Sequence, residues 1–259
     1  MTSFLALLEP LLLMSVIVLA SVVGLGLVRR STRFGRHFNE NEVTGALFAV
    51  VGVVYGALLA FVVFATWESY AGAQQAVTQE AADVVTVYRD TQTFPEPQHT
   101  QAQAALRDYV NSVVAKEWES HGNLTVHTTP DLLNPVWAIY RSIPAATAGP
   151  GIDLTSALDR LHALENQRHV RHLAGETTLP WPFWPTLLLG GLLVIGFTYF
   201  FHHSSLRGQA LMTGATAASL MGVLLLIFAL NQPFTGPVPV SKQPFEHALQ
   251  QFHAIDMGP

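Results

Sequence analysis

The chain has no cysteine. That excludes disulfides, thiol catalysis and thiolate-bound metals. Charge is also scarce: 12% of the 259 residues are Asp, Glu, Lys or Arg, and half are hydrophobic. The net charge of −5 offers no basic surface for nucleic acid, so no nucleic-acid partner is expected. Phosphate-loop, nucleophile-elbow and HExxH patterns are all missing. No proline occurs from Val43 to Asp90, so nothing there forces a helix to stop.

What is present is apolar length. Four segments, about Leu5–Val28, Val43–Thr66, Trp181–Phe201 and Ala210–Leu230, run 21 to 24 residues, and only Glu9 places a charge inside any of them. Runs of that length predict transmembrane helices. The expected architecture is therefore all-α, an integral membrane protein with four spans and the lipid bilayer as its solvent. Residues 1–66 hold helices one and two, 67–180 an extramembrane helical domain, 181–230 helices three and four, and 231–259 a tail with a Pro-Phe turn and a short amphipathic helix. The first segment has no basic residues before it, unlike a secretory signal, and is expected to be retained.

The second segment passes into an amphipathic stretch without a Gly/Pro/Ser-rich break. Helical throughout, Val43–Asp90 spans about 72 Å. Gly52 and Gly56 form a GxxxG pair, with Ala57 and Ala60 close by, which suits close helix packing within the chain or between copies.

The short loop after segment one holds Arg29, Arg30, Arg33 and Arg36, and the loop after segment three holds Arg207 beside His202 and His203. Residues 67–180 carry seven Lys/Arg against thirteen Asp/Glu. Positive short loops face the cytoplasm, so the termini and the 67–180 domain are expected outside a bacterial plasma membrane crossed several times.

Within that domain, Leu106, Tyr109, Val110, Val113 and Val114 share one face of a helix predicted from Ala102 to His121, and Trp118 extends the stripe. Asn134-Pro135 is expected to cap and start the next helix, and Asp153 the one after, where Leu154, Leu158, Leu161 and Leu164 align. Further on, His162, Glu165, His169 and His172 recur at helical spacing, a weak candidate metal set. Arg168 and Arg171 beside them favour a solvated charged face instead. Glu68, Glu80 and Asp83 show no partnered acid for catalysis. Asn123 opens a sequon. An enzyme is not expected, nor a cofactor. The tail places Phe245, Ala248, Leu249 and Phe252 on one face, expected to dock on the domain rather than lie on the membrane.

Several segments together resemble the bacterial bestrophin-like family of four-helix membrane proteins. They are GVVYGALLAFVVFATWESYAGA from Gly52, EAADVVTVYRD from Glu80, DYVNSVVAKEW from Asp108, LENQRHVR from Leu164, LPWPFW from Leu179 and NQPFTG from Asn231. The run FATWESY, with Trp67 and Tyr70, is similar to the stretch after the pore helix of bestrophin anion channels. Pro233-Phe234, followed by Gly236, is similar to their Asn-Pro-Phe-Gly turn. The resemblance implies a self-associating channel, a pentamer in bestrophins, passing anions such as chloride, with the second helix lining the pore. One register turns Gly56, Ala60 and Phe64 inward, and the other Val53, Ala57 and Phe61. Ala65 stands where bestrophins carry arginine, and TGPVPV replaces the acidic run that resembles a calcium clasp. The bestrophin domain is cytosolic, opposite to the charge reading. The alternative is a non-conducting sensor or scaffold whose domain binds a ligand or envelope partner.

Overall fold

The computed structural model describes residues 2–30, 41–118, 132–143, 154–201 and 205–258. Arg33, Arg36, His202, His203, Asn123 and Asp153 lie outside them, as do the side chains of Glu9, Arg29 and Arg30. Eight α-helices are found among the described residues, with no strand: α1 (Thr2–Arg30), α2 (Asn41–Asp90), α3 (Gln98–Ser112), α4 (Asn134–Ser142), α5 (Leu154–Glu176), α6 (Phe183–Phe200), α7 (Leu206–Leu230) and α8 (Gln243–Asp256). The proline-free stretch is indeed one helix, from Asn41 to Asp90.

Three described stretches are long and apolar enough to cross a membrane: Gly45–Thr93, Phe183–Phe200 and Leu206–Leu230. The apolar part described for α1, Leu12–Val28, is shorter. The chain divides into two compact units, 1–68 with 179–231, and 69–178 with 232–259. Helix α2 supplies residues to both.

In the first unit α7 packs along α1 and α6. Tyr55, Leu59 and Val62 of α2 bury against Leu187, Val194 and Ile227. The Tyr55 hydroxyl donates to the Leu187 carbonyl at 2.6 Å. That approach requires glycine on α6, because a Cβ at Gly190 would overlap the Tyr55 ring. Gly190→Ala is therefore expected to cost about 1–3 kcal/mol by overpacking, read as a lowered midpoint of thermal unfolding in detergent. In a Tyr55→Ala background the same change should be tolerated. Equal midpoints for Gly190→Ala and the native protein would refute the contact. At the far end of α6, Gln209 donates to the Phe201 carbonyl at 2.8 Å and reaches those of Thr198 and Tyr199, satisfying the helix's last acceptors.

The second unit has its own core. Val77, Val84 and Tyr88 of α2 meet Leu106 and Val110 of α3, Val136 of α4, Leu161 and Leu164 of α5, and Phe245 and Phe252 of α8. The tail helix thus docks on this unit, with Ala248 also buried and Leu249 packed against the core.

Two local expectations need correction. The helix predicted from Ala102 to His121 begins at Gln98 and widens into a π-turn over Val113–Glu117, with 119–121 outside the described residues. Asn134 does not cap α4. It is the first helical residue, after Leu133, and no side-chain cap is made. Pro135 does fall in the first turn, where its missing N–H costs nothing.

Candidate functional site

Two places stand out in the structure, and each lies within one unit. In the first unit, the packed side of α2 carries Tyr55, Leu59, Val62 and Thr66. Its other side is open within the chain: Val53 is 72% exposed, Phe61 64% and Phe64 63%. Gly56, Ala57 and Ala60 lie on that open side too, with Gly52 at its edge. The two proposed registers therefore share one face. A Cβ added at Gly52 or Gly56 would meet nothing within 4 Å among the described residues. Close helix approach inside the chain occurs instead at Gly190 and Gly191, against Tyr55. Trp67 is exposed. Tyr70 is half-buried and packs against the core of the second unit.

The second place was missed. Arg168 and Arg171 do not form a solvated face; they are 7% and 4% exposed. Arg171 Nε donates to Glu80 Oε2 at 2.5 Å, and its Nη2 donates to Glu80 Oε1 at 3.2 Å and to Glu117 Oε2 at 2.7 Å. Arg168 Nη2 donates to Glu117 Oε1 at 2.7 Å, and Nη1 lies 3.4 Å from the Tyr109 hydroxyl. That hydroxyl donates to Glu80. Two carboxylates on α2 and the π-turn thus meet two guanidiniums on α5, and the four charges cancel.

The electrostatics follow from this pairing. Burial pulls the Glu117 carboxyl upward, but the guanidiniums of Arg171 and Arg168 outweigh it and hold the group below the usual carboxylate range. Burial, reinforced by the Glu80 carboxylate, pushes the Tyr109 phenol well above its ordinary value. Arg171 stays charged against burial because Glu80 and Glu117 face it. His172 is pushed down to about 4, by burial first and by Arg171 second, and is neutral at pH 7.

The metal set does not assemble. The His162 and Glu165 side chains are 66% and 46% exposed and 3.9 Å apart, His169 is exposed, and His172 turns into the core. The spacing of three, four and three carries His172 round to the buried side of α5, away from His162. Among the described residues no group of three or more His, Cys, Asp or Glu could hold a metal.

Beside the ion network is a cavity of about 150 Å³ lined by Glu117, Trp118, Arg171, His172, Gly175 and Phe234, among others. Pro233 is buried and Phe234 half-buried. The turn that carries them is closed by Gly236 N–H donating to the Gln232 carbonyl at 2.8 Å and Val240 N–H to the Pro233 carbonyl at 2.7 Å. Trp118 Nε1 holds the same turn through the Val240 carbonyl at 3.2 Å. A Cβ at Gly175 would stand 3.2 Å from the Phe234 ring, so glycine sets how closely the turn meets α5. Glu117-Trp118, Arg171 and Gln232–Thr235 of the family-like segments thus converge around one cavity.

No curated protein and no solved structure matches the chain. A family model described as Bestrophin-like, bestrophin-like domain, matches residues 15–245. That match takes in most of both units, and the chain belongs to the bestrophin-like family.

Proposed function

We propose that the protein is an oligomeric, anion-conducting channel in which α2 lines the pore. Four spans, with α1 as the first, cross the membrane in this reading. The observation that carries it is the open face of α2. Gly56, Ala57 and Ala60 are exposed on that face, with Gly52 at its edge, and a Cβ at either glycine would meet nothing within 4 Å among the described residues. Glycine lowers helix stability by about 1 kcal/mol relative to alanine, and lipid returns nothing for it. Close approach by the α2 of a neighbouring copy does. Membership of the bestrophin-like family supports the same reading.

Neither register brings a charged side chain to the apolar half of α2. Conduction then depends on an apolar neck that wets and dewets, with Phe64 or Phe61 as its narrowest ring. The arginine loop orients residues 67–180 away from the cytoplasm.

Chloride flux from liposomes tests this. The native protein should pass chloride, and alanine at whichever phenylalanine faces the pore should raise flux severalfold while the other leaves it unchanged. No flux from native, Phe64→Ala or Phe61→Ala protein, with insertion verified, would overturn conduction. A clean monomer in detergent would overturn the shared pore. Protease access to residues 67–180 in intact spheroplasts tests orientation, and cleavage only after lysis reverses it.

A further inference from the structure

The cavity beside the ion network has polar capacity that the network leaves unused. His172 is 7% exposed and lines the cavity, yet its Nε2 has no hydrogen-bond partner. Glu117 Oε2 lies 3.9 Å from that nitrogen, beyond hydrogen-bonding range. Arg171 also lines the cavity. Its bonds to Glu80 and Glu117 run through Nε and Nη2, and Nη1 takes part in none of them. Both Glu117 oxygens are already occupied by arginine. The unused capacity is thus a donor on Arg171 and an imidazole nitrogen on His172.

The rest of the wall is mixed, with Thr178, Gln232 and Thr235 beside an aromatic part. Trp118 and Phe234 meet edge to face at 5.9 Å, with Gly175 and Pro233 beside them. A cavity of about 150 Å³ is large enough for a molecule of benzene's size. The wall also includes the π-turn that aims Glu117 and Trp118, and single π-turns inside α-helices recur at functional sites.

We propose that this cavity binds a small aromatic monocarboxylate, its ring against Trp118 and Phe234 and its carboxylate between Arg171 and His172, with one proton taken up by His172. Charge balance demands the proton. Glu80 from α2 and Glu117 from the π-turn cancel Arg168 and Arg171 from α5. Tyr109 from α3 is neutral, and the turn contributes only Gln232 and Thr235. An added anion would leave one buried negative charge uncompensated, a cost of several kcal/mol. Protonating His172 removes it. The site stands apart from conduction, since none of its residues belongs to the open face of α2.

Calorimetry on the full chain in detergent, with sodium benzoate as probe, tests this. One benzoate per chain should bind, taking up close to one proton, counted from two buffers of unlike ionisation heat. Affinity should fall about tenfold per pH unit between about pH 5 and 6.5. His172→Gln keeps a donor but cannot be protonated, so its affinity should be weaker and flat across that window. Benzamide, the neutral analogue, should bind at least tenfold more weakly. No saturable benzoate binding, or equal binding of benzamide, would overturn the site. Zero proton uptake by the native protein would overturn the role of His172 even if the glutamine variant fails to fold.

Discussion

Replacing Arg171 by alanine is expected to destabilise the protein by about 3–5 kcal/mol, the range for breaking a buried pair by removing one partner. The residue bonds Glu80 through two nitrogens and Glu117 through one of them, with its side chain 5% exposed and those carboxylates 0% and 3%. Its loss strands Glu80 with only the Tyr109 hydroxyl and leaves Glu117 to Arg168. Arg171→Lys should recover little, because one ammonium cannot reproduce a planar fork that spans two carboxylates. Unfolding in detergent, followed by circular dichroism, gives the number. Glu80→Ala in the Arg171→Ala background should cost less than the two single changes added together, by about 0.5–3 kcal/mol. A loss below about 1 kcal/mol for Arg171→Ala would show that the network does not hold the unit together.

That network marks where the sequence was hard to read. Helices announce themselves by apolar spacing, and the spacing located α2, α5, α6, α7 and α8 well. The same spacing also carries the charges, but a charge on a helix face ordinarily signals solvent. Glu80 continues the stripe Ala73–Val77–Val84, Glu117 continues Leu106–Val110–Val113, and Arg168 continues Leu161–Leu164. Each charged residue falls where an apolar one is due. Three such substitutions of opposite sign in one domain, two acids and a base, are a sequence signal for a buried ion cluster, since isolated buried charges cost too much to persist. The π-turn had no such signal, for its extra residue per turn leaves composition unchanged. Nor could periodicity choose a side for α2, because its apolar half is hydrophobic all round. Only the glycines on α6 reveal which side Tyr55 packs into.

Phe252→Ala should be nearly as damaging as Arg171→Ala, at about 3–5 kcal/mol for a fully buried phenylalanine, and its effect should centre on the tail. The Phe252 ring is 0% exposed and stacks on Tyr88 at 3.9 Å between centroids and 12° between planes. The Arg107 guanidinium lies 5.2 Å from the Tyr88 centroid and 5.8 Å from that of Phe252. Around this stack, α8 is also held by polar groups. Tyr88 donates to Asp256 Oδ1 at 2.7 Å, Arg107 pairs with Asp256, and Gln92 donates to the Ile255 carbonyl at 3.0 Å. Those contacts are partly exposed, so Asp256→Asn should cost about 1 kcal/mol or less. Burial and then the Asp256 hydrogen bond push the Tyr88 phenol up to about 12, above its ordinary 10. The folded state therefore keeps a proton that the unfolded chain releases first. Its contribution is complete below pH 10 and is lost as pH rises through about 12. Hydrogen exchange across Gln243–Asp256 separates the two kinds of contact. Phe252→Ala should abolish protection of the whole helix, whereas Asp256→Asn should expose only its last turn. Equal losses from the two variants would mean that the charged end, not the aromatic stack, holds α8 to the domain.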